Sequence, residues 1–218
     1  MNNVLVTGCS RGLGVLICDE LHDRGCFVLP HFRIFPQNLL KNAVAGDITD
    51  STTLDKIELA LDHNNINVFV NNAAIHQRKL FLEHSDEDIE KIVNVNITAQ
   101  IKLLKRVYAH FVNKGDGLII NINSIAALQP APGETIYSST KHALKGFSQS
   151  LQVESIGKNV RIVDIFPGAM KTDMTRSREN YSTLIDPREV ASRVGDIIGG
   201  NNMTSLETEV VIRKFNRG

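Results

Sequence analysis

The sequence predicts an α/β protein: a doubly wound parallel sheet of about seven strands with helices on both faces. Three observations predict it. Short apolar runs alternate along the chain with longer stretches whose apolar residues recur at helical spacing. The first run, Asn3-Val4-Leu5-Val6-Thr7, opens into a glycine-rich loop and then a helical pattern. Later runs end on small or polar residues, at Asn71, Ser124 and Pro167. In a parallel sheet those residues, with Gly8, collect beyond the carboxyl ends of the strands, where ligands bind.

Each element has its own local reason. Thr7-Gly8-Cys9-Ser10-Arg11-Gly12-Leu13-Gly14 lets the backbone turn sharply, and Leu13, Leu16, Ile17 and Leu21 mark one face of the helix that follows. Strand before and helix after make this a phosphate-binding loop, because a helix N-terminus favours an anion. Gly25-Cys26-Phe27-Val28-Leu29 reads as the second strand, ending at Pro30. In dinucleotide folds an acid after this strand accepts from the ribose hydroxyls of NAD, whereas arginine suits the 2′-phosphate of NADP. Here the residues are Pro30-His31-Phe32-Arg33, and Arg11 is a second nearby cation. Both favour NADP(H), with NAD(H) as the alternative.

A third strand is expected over residues 42–46, after room for only a turn or two of helix. A helix follows from Ser51 to His63, then Val68-Phe69-Val70-Asn71 as the fourth strand, running into Asn72-Ala73-Ala74. Ser85-Asp86-Glu87-Asp88 resembles a capping box opening one long helix, with apolar residues from Ile89 to Phe111 and Asn96 among them. An amide in that setting is either a satisfied core group or part of a site. The fifth strand is Gly117-Leu118-Ile119-Ile120-Asn121-Ile122, with Ser124 just beyond. A helix over 137–157, a sixth strand at 160–165, a helix from Asp186-Pro187 and a strand at Glu209-Val210-Val211-Ile212 complete the pattern.

Composition narrows the function. The 218 residues suit one substantial core. Twenty-four basic and 24 acidic residues cancel, so the basic footprint of a nucleic-acid binder is missing. No apolar run is long enough to span a membrane, and Met1-Asn2-Asn3 leaves no room for a signal peptide before the first strand. Cys9, Cys18 and Cys26 are odd in number and lack metal-ligand spacing, and the seven histidines form no cluster. A cytoplasmic protein with reduced thiols and no metal site is expected.

The chemistry centres on Tyr137-Ser138-Ser139-Thr140-Lys141. A tyrosine and a lysine four apart share a helix face, and an ammonium there can make the phenol more acidic. With Thr7-Gly8-x-x-x-Gly12-x-Gly14, Asn71-Asn72-Ala73-Ala74 and the step from Ser124 to Tyr137, the chain resembles the short-chain dehydrogenase/reductase family over nearly its whole length. The resemblance implies a Rossmann-like, single NAD(P)-binding domain over 1–218. It implies a catalytic tetrad of Asn96, Ser124, Tyr137 and Lys141. Tyr137 would exchange the proton, Ser124 would orient the substrate oxygen, and Lys141 would lower the pKa of Tyr137 and hold the ribose. Asn96 would hold a relay water.

Cofactor contacts implied by the same likeness are Gly8, Ser10, Arg11, Gly12, Leu13, Gly14, Phe32, Arg33, Asp47, Ile48, Asn72, Ala73, Ala74, Tyr137, Lys141, Pro167, Gly168 and Thr172, with Ile165 near the nicotinamide. The loop from Pro167 to Thr175 looks most like that of 3-oxoacyl-carrier-protein reductases. A reductase of a small-molecule or carrier-bound carbonyl is therefore expected, with Arg78 and Lys79 as a weaker expectation for an acidic substrate or carrier. A homodimer or homotetramer is expected by analogy. The alternatives are an NAD-dependent alcohol dehydrogenase and a non-catalytic nucleotide-binding sensor or scaffold.

Overall fold

The computed structural model describes residues 1–34, 42–176, 178, 180–200 and 207–214. Its strands are β1 (Asn3–Val6), β2 (Phe27–Phe32), β3 (Val44–Ala45), β4 (Val68–Asn71), β5 (Gly117–Ile122), β6 (Val160–Pro167) and β7 (Glu209–Ile212). They form one sheet in the order β3-β2-β1-β4-β5-β6-β7, and every pairing is parallel. The helices are α1 (Leu13–Asp23), α2 (Ser51–His63), α3 (Asp86–Val93), α4 (Gln100–Lys114), α5 (Thr135–Glu154) and α6 (Pro187–Gly199). A π-helical turn, Asn94–Ala99, joins α3 to α4.

Side-chain alternation along the strands divides the core in two. Val4, Val6, Val68, Val70, Val163 and Ile165 pack toward α1 and α6, meeting Ile17, Leu21, Val190 and Val194. Leu5, Phe69, Ile119 and Ile162 point the other way, toward Leu54, Ile57, Leu103, Val107, Phe111 and Leu144 of α2, α4 and α5. Truncating a fully buried ring such as Phe69 to alanine costs about 3–5 kcal/mol in such a core.

Three expectations change. The second strand does not stop at Pro30 but continues to Phe32. The His31 carbonyl accepts from Cys9 on the β1 side, so the backbone of Pro30 faces the β3 side. There β3 begins only opposite His31, so the missing proline N–H breaks no ladder bond. The third strand is shorter than 42–46, and the expected turn or two of helix before it falls largely outside the described residues. The long helix from Ser85 is interrupted at Asn94–Ala99. Its start is as expected, since the Ser85 hydroxyl accepts from the Asp88 N–H at 3.2 Å. Asp186 caps α6 in the same way, accepting from Arg188 ahead of Pro187.

Candidate active site

The carboxyl ends of the strands open on a cleft of about 250 Å³. One wall is the loop between β1 and α1. The Thr7 hydroxyl accepts from the Asn72 and Ala73 N–H groups at 3.0 and 3.1 Å, and the Asn72 amide donates to the Thr7 carbonyl at 2.8 Å. The turn after β4 is thereby fastened to the glycine loop. The fit leaves no room for side chains: a Cβ at Gly14 would lie 2.3 Å from the Gly8 carbonyl oxygen. At Gly8, with φ +74°, it would lie 2.9 Å from the Ala73 backbone. The result is a bare-backbone cradle at a helix N-terminus, suited to a pyrophosphate.

Ser10, Arg11, Gly12, Leu13, Arg33, Asp47, Ile48, Asn72, Ala73, Ala74, Tyr137, Lys141 and Thr172 all line this cleft with Gly8 and Gly14. Arg11 and Arg33 are exposed, and neither forms an ion pair among the described residues. The Asp47 carboxylate accepts from the N–H and hydroxyl of Thr49, which fixes the turn after β3. Beyond the end of β6, the described residues 170–176, 178 and 180–185 include Met170, Thr172 and Asp173, which line the cleft. Their two ends are fastened by Lys171 N–H donating to the Ile185 carbonyl and Ile185 N–H donating to that of Ala169.

Other expected residues stand elsewhere. Phe32 is buried in the core because its ring points into the sheet face that carries α1, so the cleft wall at this point is Arg33. Ile165 is likewise a fully buried core residue. Pro167 pairs with Ile212 at the end of β6, and Gly168 borders a separate small pocket with Leu184 and Ile185. Lys79 is paired with Asp88 at 2.6 Å, which takes it out of service as a free receptor for acid. Residues passed over in the sequence line the cleft as well, including His31, Ile75, Asn123 and Met170. Of these, His31 stands in the strand-end run read for the ribose, Met170 in the loop from Pro167 to Thr175 and Asn123 beside Ser124, whereas nothing in the sequence marks Ile75.

The tetrad converges from three elements. Tyr137 and Lys141 lie on α5, with the ammonium 5.7 Å from the phenol ring centre. Ser124 is the polar neighbour that lowers the pKa of the Tyr137 phenol, and its own oxygen accepts from the Ala126 N–H at 3.1 Å. Asn96 is buried in the π turn, where its amide accepts from the Ile75 N–H and donates to the Ile75 carbonyl, both at 2.9 Å. It therefore clamps the strand-end turn that walls the cleft.

Electrostatics at the site differ from the expectation that Lys141 acidifies the phenol. Tyr137 is pushed up to about 12, first by burial, with the Ser124 side chain acting downward. Lys141 is brought down to about 8 by burial, against the attraction of Asp164. Its ammonium donates to the Ile122 carbonyl at 2.9 Å. Asp164, fully buried on β6, is pushed up to about 7 by desolvation and accepts from the Ser148 hydroxyl.

Sheet order, glycine loop and the Tyr137–Lys141 helix define a Rossmann-type oxidoreductase. A family model described as short chain dehydrogenase matches residues 2–182, and the chain belongs to that family. Among curated relatives, 3-oxoacyl-[acyl-carrier-protein] reductase FabG of Haemophilus influenzae is 32% identical over 181 residues, covering 78% of this chain and 75% of the relative. Nodulation protein G of Azospirillum brasilense is 32% identical over 213 residues, covering 90% and 87%. The fold superposes on a 3-ketoacyl-(acyl-carrier-protein) reductase from Brucella melitensis complexed with NADH, with a TM-score of 0.87 at 22% identity over 97% of this chain and 96% of that one. It also superposes on ElxO with NADP bound, with a TM-score of 0.85 at 25% identity and the same coverage. Among the described residues no helix is long and apolar enough to cross a membrane, and no group of three metal-ligating side chains occurs.

Proposed function

We propose that this chain is an NADP(H)-dependent carbonyl reductase, working in a single nucleotide-binding domain, with a 3-oxoacyl thioester as the substrate class to test first. The observation that carries this reading is the Tyr137 phenol, one helical turn from Lys141, in the cleft that also holds the glycine cradle. The substrate class is supported by the relatives, which include several 3-oxoacyl-[acyl-carrier-protein] reductases, one of them 32% identical. A cytoplasmic setting is consistent with three free cysteines.

The residues fit a nicotinamide dinucleotide. Gly8, Gly12 and Gly14 would cradle the pyrophosphate, Asp47 and Ile48 would flank the adenine, and Arg11 and Arg33 would meet a 2′-phosphate. When bound, the nicotinamide supplies or accepts the hydride. The protein's part is proton transfer and positioning. Ser124 would hold the substrate oxygen against Tyr137, and Tyr137 would give that oxygen its proton. A phenol raised to about 12 stays in its acid form through neutral pH, which favours the reductive direction. Reduction is then expected to hold level through neutral pH and to fall as pH rises toward the phenol's value.

The direct test is NADPH oxidation with acetoacetyl thioesters, quinones, ketosteroids and keto acids, comparing the native protein with Tyr137→Phe. Thioester-dependent turnover that drops by about 100-fold or more in the variant is expected for loss of the proton donor. Equal rates in both proteins would overturn the assignment.

A partially exposed apolar stripe supports the proposal that the chain assembles as a homodimer or homotetramer. Ile89, Val93, Ile97 and Ile101 recur four apart along α3, the π turn and α4 without full burial.

A further inference from the structure

Lys141 lies one turn after Tyr137; one turn before it stands a second set of charges that the proposed reaction does not use. Glu134 immediately precedes α5 and is almost buried, with its side chain 9% exposed. Its Oε1 accepts from the Arg178 guanidinium at 2.8 Å and lies 3.4 Å from Nε2 of His76. His76 is itself only 8% exposed and meets the Tyr137 ring edge-on, with centres 4.7 Å apart. Three segments thus converge on one carboxylate: the turn after β4, the start of the catalytic helix and, through Arg178, the stretch after β6.

We propose that Glu134 and Arg178 are positioning residues that set the acidity of the catalytic phenol, Glu134 holding Tyr137 in its acid form and Arg178 offsetting that carboxylate. The inference rests on Tyr137 being the proton donor. A carboxylate beside a phenol opposes formation of a second negative charge, while a guanidinium on the same carboxylate relieves the opposition. The two influences act on Tyr137 in those directions, after burial and the Ser124 side chain. Glu134 is itself held below the usual carboxylate range, first by its hydrogen bond to His76 and then by Arg178, so it stays charged through neutral pH.

The other charged and titratable groups around Tyr137 are accounted for by element. Lys141 lies on the same helix and Asp164 stands behind it on β6. His76 is on the turn after β4, and the Arg78 side chain packs against Gly133, just before Glu134. Nothing in the motifs of the sequence marks Glu134 or Arg178: Glu134 lies between Ser124 and Tyr137 without being a motif position, and Arg178 lies beyond the loop from Pro167 to Thr175. They are joined only by the fold.

The test is the pH dependence of Tyr137 in the protein saturated with NADP⁺, read in two ways. In protein labelled with carbon-13 at the tyrosine Cζ, the Tyr137 signal is assigned by its loss in Tyr137→Phe and followed from pH 8 to 12.5, a range that takes in the phenol's value of about 12. The same variants are assayed for alcohol oxidation across that range. Glu134→Gln is expected to ionise at lower pH than the native protein, and Arg178→Met at higher pH, each by about half a pH unit or more. Arg178→Lys, which keeps the charge, should stay near the native curve and so separate charge from packing. Coincident curves, or displacement of both variants in the same direction, overturn the proposal. If the signals separate as expected but no carbonyl or alcohol substrate turns over, the charge pair stands and the proposed reaction fails. If turnover depends on Tyr137 while the signals coincide, the reaction stands and the charge pair fails.

Discussion

Asp164 shows how a single residue can be expensive and still be kept. Its side chain is fully inaccessible; Oδ1 accepts from Ser148, but Oδ2 has no hydrogen-bond partner. Burial therefore favours its neutral form and lifts it to about 7. The sign follows from proton counting. Between about pH 4 and 7 the folded state keeps a proton that the unfolded chain has released, so stability falls as pH rises through that window. Asp164→Asn removes the titration. Its stability relative to the native protein should improve between pH 4.5 and 7.5 by on the order of 2–4 kcal/mol in urea unfolding. An unchanged difference at the two pH values would show that Asp164 stays ionised. Nothing in the sequence marks this residue, since its partner Ser148 lies on α5. Tyr137, Lys141 and Ser124 were legible because their spacing is short and their chemistry specific. Phe32 was misplaced because a residue's side of the sheet depends on strand register, and that strand was expected to end two residues earlier.

At the scale of elements, the π turn at Asn94–Ala99 was the least legible feature. Apolar residues from Ile89 to Phe111 keep helical spacing on both sides of it, so periodicity alone reads one helix. The structure supplies the reason for the break. Asn96 bonds both the N–H and the carbonyl of Ile75, and one wider turn carries its backbone past that contact. Gln100, the first residue of α4, makes a parallel bond to the Ala73 carbonyl at 2.6 Å. The interrupted helix thus braces the turn Asn72-Ala73-Ala74-Ile75 against the cleft. Asn96→Ala strips Ile75 of both partners and should lower stability by about 2 kcal/mol while weakening nucleotide binding. Asn94→Ala, exposed in the same turn, is the matched control and should change neither. Equal effects of the two substitutions, by thermal unfolding and fluorescence titration, would mean that Asn96 matters only through the turn itself.

Across the whole molecule, the sheet order explains why one cleft gathers residues from so much of the chain. β1 stands between β2 and β4, and the loop leaving β1 leads toward β2 while the loop leaving β4 leads toward β5, so the two part to open a crevice. That much was legible, because alternating strands and helices allow few arrangements. The molecule's charge is balanced overall, with 24 basic and 24 acidic residues, so its net charge gives an anionic nucleotide no overall attraction. Any preference between NADPH and NADH must then arise locally, at the rim where Arg11 and Arg33 stand exposed. An exposed guanidinium on a phosphate is worth about one to two powers of ten in affinity at low salt. Arg33→Ala should accordingly weaken NADPH by about tenfold or more and NADH by less than about threefold, with the NADPH loss shrinking as salt is raised. Titrating both nucleotides against the native protein and the variant measures this directly. Equal losses would remove Arg33 from the 2′-phosphate and leave Arg11 as the cation to test, whereas a salt-independent loss would point to altered packing of the β2 end rather than to a missing charge.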